Sequence, residues 1–212
     1  MILPTMTHEE LVREIFKDYD IVIRKAVHLM QGLRRKALKS KDKHVHKIFD
    51  YKSMQQNNWL IFVDYLVKDP TFIVVVYYLD IAGFNAIMVT SDQRSLVHYS
   101  SHFLERYNER FLKHESINKL DLLKRFLYQN PIIQTKRVSE TDEYKNRFFG
   151  RLKEGIGLGY FEVVSIHSIY FCKTFISNDM IFESQQRVFD LTSFEYKLYW
   201  NEAYKKRNMD AF

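Results

Sequence analysis

The sequence predicts an α+β fold: a curved antiparallel sheet packed on helices, with a long N-terminal helix and C-terminal helices. Three observations carry this. Apolar residues recur at steps of three or four from Leu11 to Ala37, which is a helical stripe. Thr71–Leu79 contains the run Ile-Val-Val-Val-Tyr-Tyr, β-branched and aromatic, with Asp69-Pro70 before it. A second region of this character follows residue 147, after two helical patterns, so strands and helices come in separate runs. With 46% hydrophobic residues, 27% charged, 6 Gly and 3 Pro, the 212-residue chain can bury a core and lie mostly in regular elements.

The elements follow in order. Thr7-His-Glu-Glu10 reads as a capping box opening a helix that runs to about Lys39. A helix this long packs along a body or against another chain. Lys39 to Asp42 ends it. Trp59 to Val67 reads as a strand, Thr71 to Leu79 as a second, Phe84 to Thr90 as a third after a turn at Asp80 to Gly83, and Ser95 to Tyr99 as a short fourth. Together they predict an antiparallel meander. Ser101 to Leu112 and Ile117 to Tyr128 read as helices, the second stopped by Asn130-Pro131. Residues 134 to 146 are polar and read as loop or fraying helix. Arg147 to Leu152, Leu158 to Ser165 and Tyr170 to Ile176 read as strands, with Gly155, Gly157 and Gly159 turning between the first two. Met180 to Arg207 reads as one or two helices. Residues 1–50 form a long helix and basic segment, and residues 51–212 an α+β domain.

A single cysteine, Cys172, excludes an intramolecular disulfide and a cysteine-rich zinc site, and fits a reducing compartment. Met1 to Thr7 has no apolar signal region, and the longest apolar run is far below the ~20 residues that cross a bilayer. The expectation is a cytoplasmic protein with no membrane partner. The net charge is +6. Its distribution is uneven: Arg34, Arg35, Lys36, Lys39, Lys41, Lys43 and Lys47 stand within fourteen residues against Asp42 alone. That stretch is either a solvated helix end, whose cations suit the helix dipole, or a surface for nucleic-acid phosphates.

The helix from Ser101 carries the most chemistry. At about 100° per residue, His102, Arg106, Arg110, Glu105 and Glu109 share one face, and Phe103, Leu104, Tyr107 and Phe111 the other. One reading is a solvated face of ion pairs. The other is a site in which the histidine moves a proton and the arginines hold a phosphate. A strand, a helix carrying His-x3-Arg-x3-Arg, and later strands with Thr or Ser resemble the barnase–EndoU–colicin–RelE superfamily of toxin-type endoribonucleases, over about residues 84 to 177. The resemblance implies a metal-free site, without cofactor, where the RNA 2′-hydroxyl attacks its own phosphate. It also implies His102 as acid/base, Arg106 and Arg110 as phosphate clamp, and Lys173, Thr174 and Ser177 as strand-borne donors. The chain is about twice the usual toxin length, and its first helix and Ile117–Tyr128 are additions to that pattern.

On strand parity, Lys173, Phe175 and Ser177 share one face and Thr174 and Ile176 the other, so Lys173 and Thr174 meet at one site only through a bulge. The alternative for Ser177 is a strand end and helix cap. Gly155-Ile-Gly157-Leu-Gly159 lacks the Lys-Ser/Thr of a phosphate loop and reads as a bulged hairpin. His98, His102 and His114 lack a metal-binding spacing, as do His44 and His46. The sequence therefore carries three expectations. One is an endoribonuclease of toxin type, with RNA and a possible antitoxin as partners. The second is a non-catalytic nucleic-acid-binding protein. The third is a phage or mobile-element structural protein that self-associates through the N-terminal helix.

Overall fold

A computed structural model describes residues 1–114, 116–137 and 146–180. The first helix, α1 (His8–Lys39), begins with the predicted capping box: Thr7 accepts from the Glu10 amide, and the Glu10 carboxylate accepts from the Thr7 amide at 2.8 Å. The bonds to Thr7 hold the Glu10 carboxyl below its ordinary value. The helix ends at Ser40, whose amide donates to Lys36 and Ala37.

Five strands follow: β1 (His44–Lys52), β2 (Asn58–Leu66), β3 (Thr71–Leu79), β4 (Phe84–Val89) and β5 (Ser95–Tyr99). They pair in sequence order, all antiparallel. Two helical elements come next, α2 (Ser101–Tyr107), prolonged by a π turn at Asn108–Leu112, and α3 (Lys119–Gln129). Four more strands, β6 (Gln134–Arg137), β7 (Arg147–Arg151), β8 (Gly155–Val164) and β9 (His167–Ser177), form a second meander. The two meanders fuse into one nine-stranded sheet because β9 lies parallel to β5, giving the order β1-β2-β3-β4-β5-β9-β8-β7-β6. A 3-10 turn at Asn178–Met180 ends the described chain.

Each face of the sheet has its own core. On one face the α1 stripe, including Ile15, Val22, Ala26 and Ala37 at 0% exposure, packs on Trp59, Ile61, Val63, Val76 and Phe171. Burial of each such Ile or Val side chain contributes about 1.5–3 kcal/mol. The stripe thus lies along the body of the chain, the first of the two sequence alternatives. Asp18 is buried beneath it, accepting from Ser53, from Asn57 at 2.7 Å and from the Trp59 indole at 3.4 Å. On the other face α2 and α3 pack through Phe103, Tyr107, Leu123 and Phe126 on Leu60, Val75, Val97 and Phe175.

Three sequence expectations are corrected. The basic stretch is not a helix end throughout: from His44 onward it is β1, so residue 50 falls inside a strand. Its polar-apolar mixture suits an outer strand, where neither face is fully covered. Residues 134–137 are strand β6 rather than loop or helix. Gly155, Gly157 and Gly159 are not a turn but the first half of β8, the turn lying at residues 152–154. The absent side chains let neighbours close in: a Cβ on Gly157 would meet the Phe103 ring at 3.3 Å, and one on Gly159 would meet the Phe171 carbonyl oxygen at 1.7 Å. The expected C-terminal helices fall almost entirely beyond residue 180, outside the described residues.

Candidate functional site

The junction of β5 and α2 places His102. Ser100 caps α2 by accepting from the Phe103 amide at 3.2 Å, and its hydroxyl donates to the Cys172 carbonyl of β9 at 3.0 Å. One short side chain therefore starts the helix and ties it to the neighbouring strand. Phe103, Leu104 and Tyr107 turn inward, while His102 and Glu105 are exposed.

On the outer face Arg106 Nε lies 3.4 Å from His102 Nε2 and donates toward it. The same guanidinium pairs with Glu109 at 2.7 Å. Arg110 does something different. The chain turns into α2 after Tyr99, so β5 stops pairing with β9 at Cys172 and leaves the far end of β9 without a neighbour on that side. Arg110 reaches this open edge, donating to the Phe175 carbonyl at 2.6 Å and toward Thr174 Oγ1 at 3.4 Å. The π turn supports it: Lys113 N–H donates to Asn108 O, and the Asn108 side chain bonds both backbone groups of His114.

A β-bulge decides which β9 residues join this site. The register shifts between Leu158 and Gly159, which pair with Thr174 and Cys172, so Lys173 is the extra residue. Strict alternation is broken there. Cys172 and Phe175 both face the α2 core, while Lys173 lies 5.3 Å from the Tyr160 ring centroid, on the α1 side with Phe171. Thr174, paired with Leu158 opposite the Phe175 face, lies on the same side as Lys173, and Arg110 reaches its hydroxyl only at the strand edge, at 3.4 Å. The parity expected from the sequence, which put Lys173 with Phe175, does not hold, because the bulge resets it. Ser177 is buried at 1% exposure, and its hydroxyl makes no hydrogen bond among the described residues. The structure therefore pairs His102 with Arg106 on the outer face of α2 and Arg110 with Thr174 at the β9 edge, and places Lys173 beside Tyr160.

Sequence reasoning missed the group that anchors the seam between α2 and β9. Glu154, in the turn before β8, accepts from the Tyr107 hydroxyl at 2.7 Å, from Asn130 at 2.8 Å and from both terminal nitrogens of Arg125 at 3.1 and 3.3 Å. Arg125 also donates to the Tyr107 hydroxyl. Burial, then the bond to Glu154, pushes the Tyr107 hydroxyl pKa well up. The only hint in the sequence was a tyrosine among the apolar residues of α2.

His98, His44 and His46 have side-chain partners of their own. His98 points from β5 to the α1 side, with Nε2 3.3 Å from Asn85 Oδ1 and 3.4 Å from the Tyr78 hydroxyl. His102 is on the surface of α2, so the two do not share a face. His44 pairs with Asp64, and His46 meets the Tyr128 ring edge-on. Burial holds His46 below its ordinary pKa. Among the described residues no group of three or more His, Cys, Asp or Glu is placed to hold a metal ion, and no helix is long and apolar enough to cross a membrane. Arg34, Arg35, Lys36, Lys39, Lys41, Lys43 and Lys47 are all exposed. No family model, curated protein or solved structure matches the chain.

Proposed function

We propose that the α2–β9 seam is the site of a metal-independent endoribonuclease. The observation that carries this reading is the approach of His102 Nε2 to Arg106 Nε, 3.4 Å apart on an exposed helix face. Once RNA displaces the long 3.4 Å contact between them, the imidazole lone pair and the guanidinium suit two adjacent groups of one RNA linkage. His102 takes the proton of the 2′-hydroxyl, whose oxygen attacks the adjacent phosphorus. Arg106 holds a non-bridging oxygen as negative charge builds on it. The bond from phosphorus to the 5′-oxygen breaks, that oxygen takes a proton from water, the hydroxide so formed takes the proton held on His102, and a 2′,3′-cyclic phosphate remains. Arg110 is committed to the β9 backbone, so its part is to hold the seam and add positive potential. Thr174, beside it, offers a hydroxyl.

The test is incubation of purified wild type and His102→Ala with total RNA in EDTA, with products resolved on a gel and both proteins checked for equal folding. The expected result is cleavage by wild type alone, ending in cyclic phosphate. Intact RNA in both lanes overturns the reading.

A second reading, non-catalytic binding of nucleic acid, is favoured by the unbroken exposure of the basic residues from Arg34 to Lys47. It expects binding that weakens steeply with salt and survives His102→Ala.

A further inference from the structure

Among the described residues β1 is an outer strand of the sheet and pairs only with β2. Its register runs unbroken from His44↔Leu66 to Lys52↔Asn58, with no bulge and no proline. The hydrogen-bonding parity is fixed at both ends, where Val67 N–H donates to Lys43 O and Ser53 N–H donates to Asn57 O. Bonded and non-bonded pairs alternate in an antiparallel ladder. Val45, Lys47, Phe49 and Tyr51 therefore spend their backbone groups on β2. His44, His46, Ile48, Asp50 and Lys52 turn theirs away from the sheet.

No residue of β1 is buried, whereas β2 is buried from Trp59 through Val63. At the opposite edge, β6 is described over Gln134–Arg137. Edges as long as β1 are ordinarily blunted by shortening, proline, a bulge or cover. Among the described residues β1 shows only charge. Lys41, Lys43, Lys47 and Lys52 are exposed along it, against Asp42 and Asp50, and Asp50 is already paired with Lys124 at 2.9 Å.

We propose that the free edge of β1 takes an extended acidic segment of a partner protein as an added strand. The five outward-facing residues supply the main-chain bonds, and Lys43, Lys47 and Lys52 meet carboxylates of the guest. A second copy of this chain fits less well, since edge-to-edge pairing about Ile48 brings together two strands with the same excess of lysine. This surface is separate from the α2–β9 seam and stands whether or not that seam cleaves RNA.

The experiment uses the full chain and two synthetic octapeptides, one alternating glutamate and valine, the other lysine and valine, read by amide hydrogen exchange and fluorescence anisotropy. The acidic peptide is expected to slow exchange at His46, Ile48 and Asp50 at least tenfold, leaving Lys47 and Phe49, already bonded to β2, unchanged. Ile48→Pro removes only an outward N–H and is expected to weaken binding at least tenfold, with circular dichroism unaltered. Lys47→Glu provides the same test without touching the backbone. Three results overturn the proposal: equal binding of both peptides, no new protection on β1, or protection that appears with an RNA oligonucleotide or with rising protein concentration instead of the acidic peptide.

Discussion

Glu154→Ala should be among the most damaging substitutions that leave the sheet and its apolar cores untouched. The carboxylate is largely shielded, with a side-chain exposure of 11%, and it is the common acceptor for Tyr107, Asn130 and Arg125. Removing it strands two donors inside the protein, the Tyr107 hydroxyl and the Asn130 amide. Each unsatisfied buried donor costs about 1–3 kcal/mol. Arg125, at 31% exposure, can turn to water, so its share is small. Tyr107 and Arg125 still have each other, and Asn130 keeps its bond to the Phe126 carbonyl, which brings the expected total to about 2–4 kcal/mol. Urea denaturation of wild type, Glu154→Ala, Tyr107→Phe and the double variant measures it. Tyr107→Phe should cost about 1 kcal/mol, and the two losses should fall short of additivity by about 1 kcal/mol or more, because they remove one shared bond. A loss under about 1 kcal/mol for Glu154→Ala, at unchanged m-value, would show that the network is not what holds α2 to α3 and β8.

The remaining predictions concern separate parts of the molecule. Gly159→Ala should prevent folding or cost more than about 3 kcal/mol, because its Cβ would stand 1.7 Å from the Phe171 carbonyl oxygen. Gly32→Ala, on the exposed side of α1 with nothing within 4 Å, should stabilise by about 0.5–1 kcal/mol; thermal melts of the two variants give opposite signs if the packing is right. Burial, followed by the nearby Lys173 charge, pushes His98 down to about 3. Between about pH 6.5 and that value the unfolded chain binds a proton that the native chain refuses. The contribution of His98 is therefore complete above about pH 6.5 and is lost as pH falls, by up to about 1.4 kcal/mol per pH unit. Urea titrations at pH 7 and pH 4.5 should show a shallower decline for His98→Gln, and equal declines would sink the argument. If the basic stretch contacts single-stranded RNA, converting Arg34, Arg35 and Lys36 to Gln should lower the slope of log affinity against log salt by about 2; an unchanged slope means these side chains touch no phosphate.

Much of the architecture follows from local chemistry. The capping box, the three-and-four spacing of α1, the β-branched run of β3 and the breaker Asn130-Pro131 act over a few residues, and each element stands where its pattern puts it. β1 and β6 were illegible because outer strands lack a fully covered face and so lack clean alternation. The glycines of β8 misled for a related reason. Gly155, Gly157 and Gly159 have the composition of a turn, yet their use is to admit Phe103, Phe175 and the β9 backbone, which arrive from distant parts of the chain.

The candidate site divides the same way. The sequence by itself determined that His102 and Arg106 share a helix face, since helical spacing is a local property, and that the opposite face of α2 enters a core. Only the tertiary structure decided that β9 runs parallel beside β5 and stops pairing at Cys172. That end point exposes the Phe175 carbonyl and recruits Arg110 to it. Tertiary structure also decided that a bulge separates Lys173 from the Phe175 face, and that Glu154 is the acceptor binding α2, α3 and the β8 turn together. Helix faces and caps are set by neighbours along the chain, whereas strand order, bulges and buried polar groups are set by partners that only packing brings within reach.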